Sequence, residues 1–166
     1  MSNMSIDVVT IDSILLEHTA IVHYTNELRA AVAEQATFLL QSSDHWDRTR
    51  LKELKERYLS LSSSLEAVRD GLMAHCAHEE QALSPVLGKL VTDGLITEHR
   101  EIIGCLDTAR ALLNKTGLLG DLKPQTLMAT TYNVERAVET ACRMVDTHEA
   151  NEVGLFALLK KGLRVE

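Results

Sequence analysis

The feature of this chain that most constrains its fold is a pattern of histidine and glutamate that occurs twice. Residues 75–79 (HCAHE) and 148–152 (HEANE) both read His-x-Ala-x-Glu. Each is preceded along the chain by Glu-His-x-x-Ile, at residues 17–21 and 98–102. Residues i and i+4 of an α-helix lie on one face, so each pair can offer two ligand atoms to one metal ion. The repeated order predicts two helical half-sites that close on each other.

The composition favours a single helical domain covering residues 1–166. Only 4% of the residues are aromatic and only two are proline, which fits a helical bundle better than a β-sandwich or barrel. The net charge of −7 argues against a nucleic-acid partner, because phosphate binding needs a concentrated basic surface. We found neither an apolar run of the ~18 residues that a membrane span needs nor a signal peptide. We therefore expect a cytoplasmic protein with no membrane association.

Four helical stretches alternate with short polar breaks. The predicted helices cover residues 7–40, 47–87, 95–114 and 124–161. Pro85 is expected to kink or end the second helix, since proline lacks an amide N–H and clashes with the preceding turn. Residues 88–94 form the break that follows it. Short connections make consecutive helices antiparallel, so the predicted fold is all-α, an up-down-up-down antiparallel four-helix bundle.

Helical phase separates the histidines that face the core from those that do not. Six side chains fall within the apolar stripes of their helices and are the candidate metal ligands: His18, His75, Glu79, His99, His148 and Glu152. His23 and Glu27 also match His-x-x-x-Glu, but they fall on the opposite face and are predicted to form a surface pair. His78 is predicted at the rim of the buried face. His45 lies in a loop, where helical phase does not apply.

The chemistry of these six side chains indicates a pair of metal ions. A buried carboxylate persists only when it is paired or coordinated, and the stripes around Glu79 and Glu152 contain almost no lysine or arginine. Each glutamate can bridge two ions, and each histidine can supply one nitrogen. Nitrogen and oxygen donors without thiolate suit iron, manganese, zinc or copper, and carboxylate bridges in a helical bundle favour iron or manganese. Ferritin-like di-iron proteins use Glu-x-x-His instead, a spacing that differs from this one.

The ordered set of His, His-x-x-x-Glu, His and His-x-x-x-Glu resembles the hemerythrin-like, or HHE cation-binding, domain family. The resemblance spans residues 11–159. Residues 83–85 (LSP) are similar to the Leu-aromatic-Pro segment of that family, with serine in place of the aromatic residue. The resemblance implies a non-haem di-iron centre. In it His18, His75, His99 and His148 would be terminal ligands, and Glu79 and Glu152 would be bridging carboxylates.

Two positions bear on which member of the family this chain resembles. Oxygen-carrying hemerythrins have a fifth histidine one turn after the third-helix ligand, where this chain has Ile103. Six protein ligands instead of seven would leave one more position for water, a gas or another ligand, which weakens the case for a dedicated oxygen carrier. Family members that repair iron–sulfur centres or handle nitrosative stress carry an additional histidine between the first two ligands. His45 occupies that interval.

The sequence therefore predicts a protein that holds two iron ions, with manganese or zinc as alternatives. It would bind or react with a small diatomic or peroxide ligand: oxygen, peroxide or nitric oxide. One alternative is an iron- or oxygen-responsive sensor whose bundle is stabilised by the metal centre. Another is a metal-free helical interaction module whose polar core residues are held by hydrogen bonds. No residue is assigned a catalytic role, and no protein partner is indicated.

Overall fold

The computed structural model describes residues 6–42, 47–116 and 124–163, and in these ranges the chain forms helices and no strand. The helices are α1 (Val8–Gln41), α2 (Arg48–Thr116) and α3 (Pro124–Leu163). Helix α2 is interrupted at Gly88, whose φ of 73° and ψ of 160° are not helical. The part before Gly88, residues 48–87, is called the first arm, and the part after it, residues 89–116, the second arm. The all-α prediction is confirmed.

The predicted division into four separate helices is correct only in part. A break was expected over residues 88–94, but only Gly88 departs from helical geometry there. The chain still reverses at this interruption. A hydrogen bond between the two arms shows the reversal, since Arg69 Nε donates to Asp107 Oδ1 at 2.6 Å. These two residues are equally far from Gly88 along the sequence, so the arms of α2 lie side by side and antiparallel. Pro85 lies inside the first arm, and the helix continues past it to Gly88.

Contacts between the helices show that α1, α3 and both arms of α2 surround a common interior. Arg29 Nε of α1 donates to Glu139 Oε2 of α3 at 2.8 Å, and Lys160 near the end of α3 pairs with Asp12 near the start of α1. These two helices are therefore antiparallel. The first arm contacts α1 where the Arg57 guanidinium lies 4.5 Å from the centre of the Phe38 ring. Among the described helices, none is long and apolar enough to cross a membrane.

The ends of α1 and α3 have local causes in the sequence. Asp7 caps α1, since its Oδ1 accepts a hydrogen bond of 2.7 Å from the backbone N–H of Thr10, which is unpaired at a helix start. Helix α3 begins at Pro124, in the first turn, where a missing N–H costs nothing. The backbone N–H of Ser42 bonds to carbonyls in the last turn of α1. Each of these features marks an end close to that predicted.

The apolar core consists of two clusters separated by a polar layer. The larger cluster includes Leu28, Leu65, Leu72, Leu106, Val138 and Val145. The smaller cluster is formed by Ile6, Ile11, Ile14, Leu83, Leu95 and Phe156. On α1 the chain passes from Ile14 in the smaller cluster, through His18, to Leu28 in the larger one. On each of the other helical segments the predicted ligands likewise lie between residues of the two clusters, with the order reversed on the antiparallel first arm and α3. The ligands therefore lie between two apolar regions that limit contact with water.

Replacing Gly88 by alanine is expected to destabilise the protein by about 1–3 kcal/mol. The reason is that φ of 73° with ψ of 160° is a conformation that side chains disfavour. Among the described residues, no atom beyond the adjoining backbone lies within 4 Å of the added Cβ, so the effect would come from the backbone alone. Urea unfolding measures the change.

Gly104→Ala is the matched control. In the part of the chain that the structure describes, an added Cβ at Gly104 also meets no atom within 4 Å beyond its own helix backbone, but Gly104 lies in regular helix. Alanine there should stabilise by about 0.5–1 kcal/mol. Equal free energies of unfolding for the two variants would contradict the assignment of a strained reversal to Gly88.

Candidate metal centre

The six predicted ligands lie together in the polar layer. His18 comes from α1, and His99 comes from the second arm of α2. The first arm and α3 each present one His-x-x-x-Glu pair. All six side chains are buried: His18, His75, Glu79, His99, His148 and Glu152 are at most 7% exposed. The structure therefore brings to one level residues that the sequence spreads over 135 positions, from 18 to 152.

The Glu79 carboxylate lies at the centre of this layer and approaches all four imidazoles. Its Oε2 is 3.2 Å from His99 Nε2 and 3.6 Å from His75 Nε2. The same oxygen is 3.7 Å from His148 Nε2, and Oε1 is 3.7 Å from His18 Nε2. One carboxylate thus reaches rings from every helical segment, and its two oxygens face different rings.

The Glu152 carboxylate spans the layer in a second direction. Its Oε2 is 3.0 Å from His18 Nε2, and its Oε1 is 3.3 Å from His148 Nε2. Two ligand atoms that are each about 2.1 Å from one ion, at 90–110° to each other, lie about 3.0–3.4 Å apart. Three of the nitrogen–oxygen distances, those of His18 and His148 to Glu152 and of His99 to Glu79, fall in or at the edge of that range.

These side chains form two overlapping groups, each compact enough to surround one ion. Position A is the group of Glu79, His99, His148 and Glu152, and position B is the group of His18, His75 and Glu79. Within each group, one ligand atom from every residue lies within 4.8 Å of the others. The two positions share Glu79, so they are adjacent.

Most of the atoms in the layer that could bind a metal ion are buried and make no hydrogen bond among the described residues. They include Nε2 of His18 and His75 and both carboxylate oxygens of Glu79 and Glu152. Buried polar atoms are almost always hydrogen-bonded, and leaving carboxylate oxygens unpaired in an apolar interior is costly. These atoms face one another at distances such as 3.0 Å and 3.7 Å, and they are the ones that would coordinate metal ions. On this observation the residues present fit a pair of cations.

A second ring of carboxylates, missed by the sequence reasoning, orients three of the imidazoles. Glu17 accepts from His75 Nδ1 at 2.9 Å. In the same way Glu80 accepts from His99 Nδ1 at 2.8 Å, and Glu98 accepts from His148 Nδ1 at 2.9 Å. Ionised carboxylates only accept, so each Nδ1 carries the proton and each Nε2 turns its lone pair inward. The repeated sequence pattern could have indicated two of these carboxylates, since Glu17 and Glu98 are the first residues of its two Glu-His-x-x-Ile segments.

The tautomers have a direct consequence for His99 and His148. Their Nε2 atoms are only 3.1 Å apart. With both Nδ1 atoms donating outward, two lone pairs would face each other at this distance, which is repulsive unless a proton or a metal ion lies nearby. The geometry therefore calls for positive charge at position A.

The remaining histidines occupy different surroundings. His23 and Glu27 are 67% and 62% exposed, as helical phase predicted for a surface pair. His78, predicted at the rim, is 40% exposed and donates from Nδ1 to Glu17 at 2.9 Å. His45 lies outside the described residues. Ile103, at the position of the fifth histidine of oxygen carriers, packs against the larger apolar cluster.

Without metal, protons provide the positive charge of the layer. Burial lowers the pKa of His18, but its contacts with Glu152 and Glu79 outweigh this and raise the pKa to about 9. Burial raises the pKa of Glu79, but the contacts with His148, His18 and His99 hold it well below its ordinary value. The layer of the metal-free protein therefore contains imidazolium–carboxylate pairs, and binding of cations must displace their protons.

Glu79→Gln is expected to abolish paired metal binding, because the amide removes a charge and an anionic bridging oxygen. We expect metal content to fall from about two ions per chain to about one or less. Elemental analysis of purified protein measures it. Glu27→Gln is the matched control, since Glu27 lies in the same His-x-x-x-Glu pattern but at the surface. Equal metal content in the two variants would contradict a ligand role for Glu79.

The stabilisation that metal confers is expected to grow between pH 6.5 and pH 9. A raised histidine pKa stabilises the metal-free protein below the ordinary value of 6.5, and this stabilisation is lost as pH rises through about 9. The lowered pKa of Glu79 acts only at acidic pH and leaves this window unchanged. The difference in Tm between metal-loaded and metal-free protein should therefore widen with pH. A constant difference would show that metal and protons do not compete in this layer.

The comparison with known protein families agrees with the geometry. The family described as hemerythrin HHE cation binding domain matches residues 9–152, a range that includes all six predicted ligands. Comparisons with curated proteins and with solved structures gave no match. The matched range covers most of the 166 residues, and the chain therefore belongs to the hemerythrin HHE cation-binding domain family.

Proposed function

We propose that this protein holds two iron ions in a hemerythrin-like four-helix bundle and binds or reacts with small oxidants. The two arms of α2 are the second and third helices of this description, and α3 is the fourth. The proposed ligands are His18, His75, Glu79, His99, His148 and Glu152. Glu79 and Glu152 are the proposed bridges, and the imidazoles are the proposed terminal ligands.

The observation that carries this proposal is that the potential metal-ligand atoms in the buried layer make no hydrogen bonds among the described residues. Both oxygens of Glu79 and of Glu152 lack hydrogen bonds among the described residues, although all four atoms are buried. Hydrogen bonds would be the normal means of satisfying them in a metal-free core. Their placement within reach of four imidazole nitrogens supports coordination of cations instead.

The donor set favours iron over softer metals. Imidazole nitrogen and bridging carboxylate oxygen suit iron and manganese, with zinc as a further alternative. Cys76 is buried next to His75 in sequence, but it belongs to neither metal position among the described residues. When bound, a pair of ferrous ions would supply the electrons and the open coordination positions that a small oxidant needs.

A small cavity beside the layer supports a small ligand. Its volume is about 10 Å³, close to the minimum that holds one water molecule. It is lined by His18, Ile21, Val22, Leu72, His75, Val145, His148 and Glu149. Oxygen, nitric oxide and hydrogen peroxide are small enough for such a space with modest adjustment, whereas a bulky organic substrate is not. Its apolar lining residues, Ile21, Val22, Leu72 and Val145, would also limit the access of bulk water to the layer.

The experiment is anaerobic loading with ferrous iron, followed by separate mixing with oxygen, hydrogen peroxide and nitric oxide. We expect about two iron ions per chain and new charge-transfer absorption with at least one of the three. The oxidant that reacts fastest at equal concentration identifies the preferred ligand. A folded protein that takes up no iron, or an iron-loaded protein whose spectrum none of the three changes, would refute the proposal.

A matched pair of peroxides tests whether the cavity selects by size. Cumene hydroperoxide should react much more slowly than hydrogen peroxide with the iron-loaded protein. Leu72→Ala removes part of the cavity wall and should narrow that difference while leaving iron content unchanged. Equal rates for the two peroxides in the unsubstituted protein would show that the oxidant reaches the iron by another route.

A metal-responsive sensor is the second candidate function, favoured by the same buried carboxylates. If the layer is costly without cations, metal binding contributes directly to the free energy of folding. The melting comparison described above also tests this candidate. Loss of helix on chelation at neutral pH would support it, and unchanged helix content and Tm would contradict it.

A further inference from the structure

We propose that the two metal positions are unequal, so that position A takes up the first ion and position B takes up the second and releases it first. The inference deepens the proposed function and rests on the proposed pair of metal ions. It comes from a difference in how the structure holds the four imidazole rings.

Both imidazoles of position A are anchored by a carboxylate of their own. His99 donates from Nδ1 to Glu80 at 2.8 Å, and His148 donates from Nδ1 to Glu98 at 2.9 Å. Each ring is therefore fixed in tautomer and orientation before an ion arrives. Such partners of metal-binding histidines raise ligand basicity and reduce the entropy lost on coordination. Glu79 and Glu152 approach imidazoles of both positions, so the outer partners of the rings are what distinguish position A from position B.

The imidazoles of position B are held less firmly. Glu17 anchors His75 at 2.9 Å, but it also accepts from His78 at 2.9 Å, so one carboxylate serves two rings. His18 Nδ1 is buried and has no hydrogen-bond partner among the described residues. The His18 ring is in contact with the His75 ring, 4.7 Å between centroids, and with Phe156, 5.9 Å between centroids. His18 Nε2 faces Glu152 Oε2 at 3.0 Å, but no carboxylate outside the layer anchors its Nδ1, in contrast to the rings of position A.

The difference has a consequence for the small ligand. Both imidazoles of position B line the cavity of about 10 Å³, whereas His148 is the one imidazole of position A that does so. The ion at position B would therefore be both the more exchangeable one and the one with more of its surroundings open to a ligand. Whether the protein holds one ion or two would then depend on the occupancy of position B.

Stepwise titration of metal-free protein with cobalt(II), followed by visible absorption and calorimetry, tests the inference. We expect two binding events, of which the first is at least about 10-fold tighter. His18→Leu should remove the weaker event and leave the tighter one. His148→Leu should remove the tighter event. Circular dichroism on each variant verifies that the helices are retained.

Conservative variants of the outer carboxylates provide an independent measurement that does not depend on removing a ligand. Glu80→Gln and Glu98→Gln should each weaken the first event by about 10–100-fold and leave the second nearly unchanged. Glu17→Gln should affect only the second event. Glu27→Gln, in the exposed pair with His23, should change neither.

Different failures can be told apart. Two events of equal affinity, or loss of the tighter event in His18→Leu, would overturn the inequality while leaving a pair of metal ions in place. Weakening of both events alike by Glu98→Gln would also overturn it. A folded protein that binds neither cobalt nor iron would overturn the proposed function together with this inference.

Discussion

The structure depends on one costly arrangement, the burial of two carboxylates among four imidazoles in the middle of an apolar core. Glu79 is fully buried, and neither of its oxygens makes a hydrogen bond among the described residues. An uncompensated carboxylate in such surroundings would be strongly destabilising. Positive charge has to reside in this layer, as protons on imidazoles or as metal ions. The carboxylates at the outer edge of the layer then follow as the groups that orient the rings toward that charge.

Each helical segment contributes polar side chains to this layer and apolar side chains to the core on both sides of it. Apolar clusters lie on both sides of it, so each helical segment contributes to two hydrophobic regions and one polar level. The reversal at Gly88 matters for this arrangement, because it brings His99 of the second arm next to Glu80 of the first. A longer connection would leave the relative level of the two arms less strictly determined. The positive φ of a single glycine thus helps to set the geometry of the centre.

Comparison of the His-x-x-x-Glu pairs shows how the fold distinguishes a site from a coincidence. His23 and Glu27 have the same spacing as His75 and Glu79 and lie 3.3 Å apart, but water surrounds them. In high dielectric such a pair has little effect on stability. The buried pair lies among rings from three other helical segments, where each charge strongly affects the protonation of its neighbours. The spacing is shared, and the difference in chemistry comes from burial.

The sequence by itself determined the helical class, the inward face of each helix and the identity of the six histidine and glutamate side chains of the buried polar layer. These follow from local periodicity, which depends only on the 3.6-residue turn. It did not determine the single-residue reversal at Gly88, since residues 88–94 contain two glycines and either could end a helix. It also missed the roles of Glu17, Glu80 and Glu98. Those features were decided by the tertiary structure, because they are contacts between helices, and the phase of one helix carries no information about the rotation and level of its neighbour.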